Sequence, residues 1–319
     1  MQRIGEIKSE ITKLSGSELI ELNGFIGSVI QDQATKVHLA NRTDALAKGI
    51  CIYCNAAKPY KWGKTDNGNQ RFRCRDCKKT FCTTTNTPVY RLRNRSMWSR
   101  YLKLMTTHIP LRALRDGHGF NLHVSTLHRW RHRFLEAITA NPAAKLAGLI
   151  EADEKFFRTS YKGDRGWKRA KPPQDRKPRS RGGASQRGLG DEQVPVLTAL
   201  DRSGVICQER LPNTKWASIA GKMTPWVETD SVICSDGNQV YASIAKQTGC
   251  EHMVAKKGGA NTSGVSIGRI DAYHRDIENL INRRCMGVGT RYLMNYFAWS
   301  RRIRQRKPFG GDLLAEMMA

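Results

Sequence analysis

This chain of 319 residues is short of three things, and each shortage removes a class of reading. No apolar run approaches the roughly 20 residues that a helix needs to cross a bilayer, so a membrane-spanning protein is not expected. The opening MQRIGEIKSE has no apolar h-region of the secretory kind, which points to a cytoplasmic chain whose thiols stay reduced. Acid is scarce as well: 28 Asp and Glu stand against 54 Lys and Arg, a formal net charge of +26. Self-repulsion on that scale opposes a compact state unless a polyanion neutralises it. Lys and Arg beside phosphates gain affinity by releasing condensed counterions, so nucleic acid is the favoured partner. A membrane-surface reading is weaker, because the basic residues are spread along the chain and no segment pairs a basic face with a strongly apolar one.

What is present begins with nine cysteines, an odd number that already disfavours a full set of disulfides. Four of them form two knuckles, Cys51-x-x-Cys54 and Cys74-x-x-Cys77. Each knuckle puts two thiolates on one tight turn, and the two turns together supply the corners of a tetrahedron, the geometry Zn²⁺ accepts. Tyr60, Trp62, Arg71 and Phe72 lie between them around Asp66-Asn-Gly68, so a small β-hairpin carrying structural zinc is expected at residues 48–90. Such a module has almost no core and folds because metal binds. Cys82, Cys207, Cys234, Cys250 and Cys285 have no comparable partners and read as packed or idle thiols.

Ahead of the ribbon, residues 1–47 read as two short amphipathic helices. Ile4, Ile7, Ile11 and Leu14 make the first stripe, and Ser15-Gly-Ser-Glu18 is a capping box before Leu19, Leu22, Ile26 and Val29. Those stripes bury either within the chain or against another subunit. After the ribbon, Lys78, Lys79, Arg91, Arg93 and Arg95 make a basic exit, and residues 91–140 have the periodicity of a helix-turn-helix. In its last helix Ser125 can act as cap. Thr126, His128, Arg129, Arg131, His132 and Arg133 are expected to face outward, with Leu127, Trp130 and Phe134 inward. Short polar and basic side chains at a helix start are what base edges and phosphates require.

Asn141-Pro142 opens the largest domain, at residues 146–305. Leu149–Phe157 reads as a strand, 194–200 and 204–210 as a hairpin, 231–236 as a buried strand ending in Asp, and 252–255 as another; helices are expected at 216–227, 239–247 and from Ile270. A basic, Gly- and Pro-rich insertion at 161–190 is too polar to order itself and reads as a loop or arm. Its Lys162, Arg165, Lys168, Arg169, Arg179 and Arg181, with Arg129, Arg131 and Arg133 of the helix, are the candidate DNA contacts. A tail follows at 306–319. The fold class is therefore multi-domain α+β: N-terminal helices, zinc ribbon, helix-turn-helix, then a mixed α/β domain compatible with the ribonuclease H-like fold.

Asp153 lies on the first strand of that domain and Asp236 at the end of a later one, and in a ribonuclease H-like sheet those strands are neighbours. Two carboxylates brought together repel unless a cation sits between them, and Mg²⁺ is the natural occupant. The last long helix offers Asp271, His274 and Glu278 at i, i+3 and i+7, on one face. Asp271 could equally cap that helix, and Glu278 could pair with a surface Lys or Arg.

The two knuckles, Cys74-Arg-Asp-Cys-Lys-Lys-Thr-Phe81, the helix-turn-helix, Glu151-Ala-Asp-Glu-Lys-Phe156, Cys234-Ser-Asp-Gly237, Asp271-Ala-Tyr-His274, Gly287-Val-Gly-Thr-Arg-Tyr-Leu-Met-Asn-Tyr296 and Trp299 together resemble bacterial insertion-sequence transposases of the DDE class with an ISXO-like catalytic domain. The resemblance runs from the ribbon to about Arg302. It implies catalytic roles for Asp153 and Asp236, with His274 in a third position that varies among Glu, Asn and His; Glu278 stays open as a substitute. A histidine there implies a site with one negative charge fewer, weaker for Mg²⁺ and more tolerant of Mn²⁺. It further implies cleavage and strand transfer at terminal inverted repeats of double-stranded DNA, a homodimer or larger assembly on that DNA, and a nucleoid-associated protein. The rival readings are a DNA-binding regulator with a silent catalytic domain and a nuclease without strand transfer.

Overall fold

The computed structural model describes residues 2–94, 97–139, 145–162, 190, 192–255 and 266–305. They divide into two compact units, one up to Leu127 and the other from His128.

The first unit opens with α1 (Gln2–Ile11) and α2 (Gly16–Lys48). The capping box forms as expected: Ser15 Oγ accepts from the Glu18 N–H while Glu18 accepts from the Ser15 N–H at 2.8 Å. The second helix is not short. It runs 33 residues to a stop at Gly49, because Leu39, Ala40, Ala45, Leu46 and Ala47 are strong helix formers and no proline interrupts them. Its last turns are tied to the ribbon, where Arg42 Nε donates to the Thr83 carbonyl at 2.8 Å and Leu46 and Ala47 pack on Cys51, Phe72, Cys74 and Phe81. The expected hairpin is β1 (Tyr60–Lys64) and β2 (Gln70–Arg73), joined by a third antiparallel strand, β3 (Thr80–Cys82). Gly68 turns the hairpin at φ +75°.

Then come α3 (Trp98–Leu104), α4 (Leu111–Gly117) and α5 (Val124–Ala137). Trp98, Tyr101, Leu102, Met105, Leu114, Phe120 and Leu127 are buried, and the Tyr101 hydroxyl donates to the Leu127 carbonyl at 2.7 Å. The cap of α5 is His123 rather than Ser125: its Nδ1 accepts the Ser125 N–H at 3.2 Å, and its carbonyl takes the first helical bonds.

The second unit is built on a five-stranded mixed sheet. Its strands are β4 (Leu149–Arg158), β5 (Gln193–Asp201), β6 (Ile206–Arg210), β7 (Val232–Ser235) and β8 (Glu251–Val254), in the order β6-β5-β4-β7-β8. β4, β5 and β6 are antiparallel neighbours, while β7 runs parallel to β4 and β8 parallel to β7. That order and those directions are the ribonuclease H-like arrangement. Alternation along β4 sends Ile150 and Ala152 into a core shared with Leu197, Ala199 and Ile233 and with α6 (Trp216–Met223) and α7 (Gln239–Thr248). Glu151 and Asp153 point to the other face, where α8 (Gly268–Glu278) lies; a π-helical segment, Asn279–Arg284, continues it, and α9 (Leu293–Arg304) follows.

Candidate active site

In the parallel pair β4 and β7, Leu149 is level with Val232, Ile150 with Ile233 and Glu151 with Cys234. Continuing that register by two residues brings Asp153 level with Asp236, on the same face of the sheet. Asp236 sits just past the strand, before the Gly237 turn at φ +101°, and its Oδ1 accepts from the Asn238 N–H at 3.4 Å. Asn238 in turn caps α7, so the carboxylate is held at the carboxyl end of β7.

Of the three candidates on α8, the structure separates what the sequence could not. His274 is 3% exposed and its Nδ1 lies 3.6 Å from Asp153 Oδ2; neither ring nitrogen has a hydrogen-bond partner among the described residues. Asp271 is exposed in the first turn, and the cap position belongs to Ile267. Glu278 pairs with Lys155 at 3.0 Å, as its alternative reading required. A buried imidazole with both nitrogens unsatisfied is costly. A separation of 3.6 Å is too long for a hydrogen bond, yet close to the roughly 3 Å between neighbouring oxygen or nitrogen ligands on one hard divalent ion. Asp153 and His274 therefore stand as two candidate donors to such a cation, with Asp236 next to them by strand register; among the described residues it is the four knuckle cysteines, and not this trio, whose ligand atoms all lie within metal-sharing distance.

Two carboxylates that sequence reasoning did not single out frame this centre. Glu151 is 1% exposed; its Oε2 accepts the backbone N–H groups of Arg269 and Ile270, both at 3.0 Å, and its Oε1 pairs with Arg202 at 3.1 Å. It thus anchors the start of the helix carrying His274 to the strand carrying Asp153, where a negative charge also meets the positive helix end. Glu154 faces the opposite layer and accepts from the Tyr241 hydroxyl. Burial pushes its carboxyl up to about 7; the Tyr241 bond opposes that rise, and the charges of Asp153 and Asp236 add to it. The signal for Glu151 was present: an acid two residues before Asp153 in a strand must share its face.

The four knuckle cysteines form a second centre. Their sulfurs all lie within 4.8 Å of one another, with Cys51 to Cys77 at 3.7 Å and Cys54 to Cys74 at 3.6 Å. A tetrahedron of thiolates at about 2.3 Å from Zn²⁺ has edges near 3.8 Å, so the donor set fits zinc. The Tyr53 and Asp76 N–H groups donate to Cys51 and Cys74, which orients those sulfurs. All nine cysteines are free.

The candidate DNA contacts fare unevenly. Arg129 is exposed and Arg133 half-buried, but Arg131 and His132, expected to face outward, are buried. Arg131 lies over the Trp299 ring of α9 at 4.9 Å, and the His132 ring packs, tilted, on Tyr292 just before that helix at 4.0 Å. Lys162 donates to the carbonyls of Met286 and Gly287 at 3.0 and 2.8 Å, closing the end of the π-helical segment. Arg165, Lys168, Arg169, Arg179 and Arg181 lie outside the described residues.

The strand order is consistent with a ribonuclease H-like fold. Comparison with known families makes this specific: residues 145–299, just under half of the chain, match the ISXO2-like transposase domain. Residues 145–299 are thus similar to a DDE-class transposase domain. The match begins after the ribbon and the helix-turn-helix. No curated protein matches the chain. Among solved structures, a cryo-EM structure of the simian T-cell lymphotropic virus intasome in complex with the PP2A regulatory subunit B56 gamma matches at 9% identity over 62% of this chain and 67% of that one, with a TM-score of 0.30. At that score the fold assignment rests on the strand order alone. Among the described residues, no helix is long and apolar enough to cross a membrane.

Proposed function

We propose that the chain is an insertion-sequence transposase that binds the terminal inverted repeats of its element, cleaves DNA there and joins the freed end to target DNA. The observation that supports this reading is the approach of His274 on α8 to Asp153 on β4, with Asp236 following β7, the parallel neighbour of β4. Asp153, Asp236 and His274 would hold Mg²⁺ or Mn²⁺, which when bound would supply Lewis-acid stabilisation of charge on the scissile phosphate. Asp153 and Asp236 would hold that cation through opposite charge. The buried His274 would contribute a nitrogen donor. Glu151 acts through position, holding the start of α8 against β4.

The ribbon, whose Cys51, Cys54, Cys74 and Cys77 hold zinc, and the exposed start of α5 with Arg129 and Arg133 recognise the element ends. The basic insertion 161–190 neutralises phosphates. Because two ends are joined in one event, the working form is a homodimer or larger assembly on DNA.

The test is a strand-joining assay with a pre-cut end and plasmid target. Joining that needs Mg²⁺ or Mn²⁺ and vanishes in Asp153→Ala, with end binding retained, supports the reading. Binding without any nicking would leave a regulator, and nicking without joining a nuclease.

A further inference from the structure

We propose that one face of α2 is a self-association seam, occupied by α2 of a second copy of this chain. Leu19, Leu22, Ile26, Val29, Ile30 and Val37 fall within an arc of roughly 100° on a helix that turns about 100° per residue. The steps from Leu19 to Leu22, Ile26 and Val29 are three, four and three residues, the spacing of a coiled-coil seam. Gln33 lies on the same stripe, and a single polar residue in such a seam fixes its register.

Among the described residues, most of this stripe is left uncovered. Leu19, Ile26, Val29, Ile30 and Val37 are 39%, 40%, 42%, 61% and 57% exposed. The hold of α2 on the ribbon comes later, at Arg42, Thr43, Leu46 and Ala47.

Charge selects the occupant. Residues 1–48 contain six basic and six acidic side chains, so the whole net charge of +26 belongs to the remainder of the chain. A neutral helix has no attraction for DNA phosphates, and it lacks the basic polar face that holds an amphipathic helix on a lipid surface. Two copies, which repel one another everywhere else, meet here without that penalty. Burying six apolar side chains on each copy removes on the order of 1,000 Å² in total, which reaches the lower edge of specific interfaces. The seam supplies the pairing that the transposase reading requires, but it is tested without DNA or catalytic metal, so the two can fail separately.

The experiment is the mass of the full zinc-loaded chain by light scattering at micromolar concentration. The wild type is expected at twice 36.0 kDa, and Ile26→Glu/Ile30→Glu at 36.0 kDa. Unchanged zinc content reports that the ribbon of the variant is folded. The milder Ile30→Ala/Val37→Ala keeps helix propensity and is expected to raise the dimer dissociation constant at least tenfold. A monomeric wild type, or a dimer that both variants leave intact, overturns the seam. A dimer without joining activity would preserve the seam while ending the catalytic reading.

Discussion

His274 Nδ1 stands 3.6 Å from Asp153 Oδ2, and neither nitrogen of this nearly fully buried ring has a hydrogen-bond partner among the described residues. An imidazole placed only for packing would not be left in that condition. If it completes a cation site, His274→Gln should weaken Mn²⁺ binding at least tenfold while leaving the unfolding midpoint nearly unchanged. Titration calorimetry of the full chain checks this. Equal affinity in variant and wild type would assign His274 to the core alone.

Glu151 is the strut that sets this geometry. Replacing it by Gln keeps its shape but weakens two charge-assisted bonds to the start of α8 and the pairing with Arg202. A loss of about 2–3 kcal/mol in urea unfolding is expected, together with weaker cation binding because His274 loses its fixed position. Stability lost without any change in cation affinity would show that α8 holds its place independently.

The buried imidazole of His132 gives the second unit an acid sensitivity. Burial first, and then the nearby His128, Arg131 and Arg291, depress its folded pKa to about 3. The unfolded chain binds that proton near pH 6.5, so the neutral ring contributes its full stabilisation above about 6.5. The contribution is lost as pH falls from there towards 3, at no more than about 1.4 kcal/mol per pH unit. His132→Phe should flatten the decline of the urea midpoint between pH 6.5 and 4. An unchanged slope would locate the sensitivity elsewhere.

The ribbon should depend on its metal. Cobalt exchanged into the chain is expected to give the spectrum of a tetrahedral four-thiolate site, altered in Cys54→Ser, and chelation should melt β1 to β3. An octahedral cobalt spectrum, or a ribbon indifferent to chelator, would contradict the site.

Much of this was legible because strand alternation is a local property. The sequence of β4 places Glu151 and Asp153 on one face and Ile150 and Ala152 on the other without knowledge of any partner. The zinc knuckles were legible for the same reason, since two residues of spacing fix each turn. Long-range packing was not. Arg131 and His132 look like an outward basic face until Trp299 and Tyr292, more than 150 residues later, pack on them. Asp271, His274 and Glu278 share one helical stripe, so spacing alone could not rank them. Depth does: the first is exposed, the second buried, and the third drawn off by Lys155.

The central claim is that Asp153, Asp236 and His274 surround one cation-binding position. Iron-mediated hydroxyl-radical cleavage of the full chain tests it most directly, because Fe²⁺ at a Mg²⁺ site cuts the backbone beside its ligands. The account predicts three cuts, in the middle of β4, after β7 and within α8, all suppressed by excess Mg²⁺ and absent in Asp153→Ala. Cuts confined to other segments, or a pattern unchanged by Asp153→Ala, would contradict it.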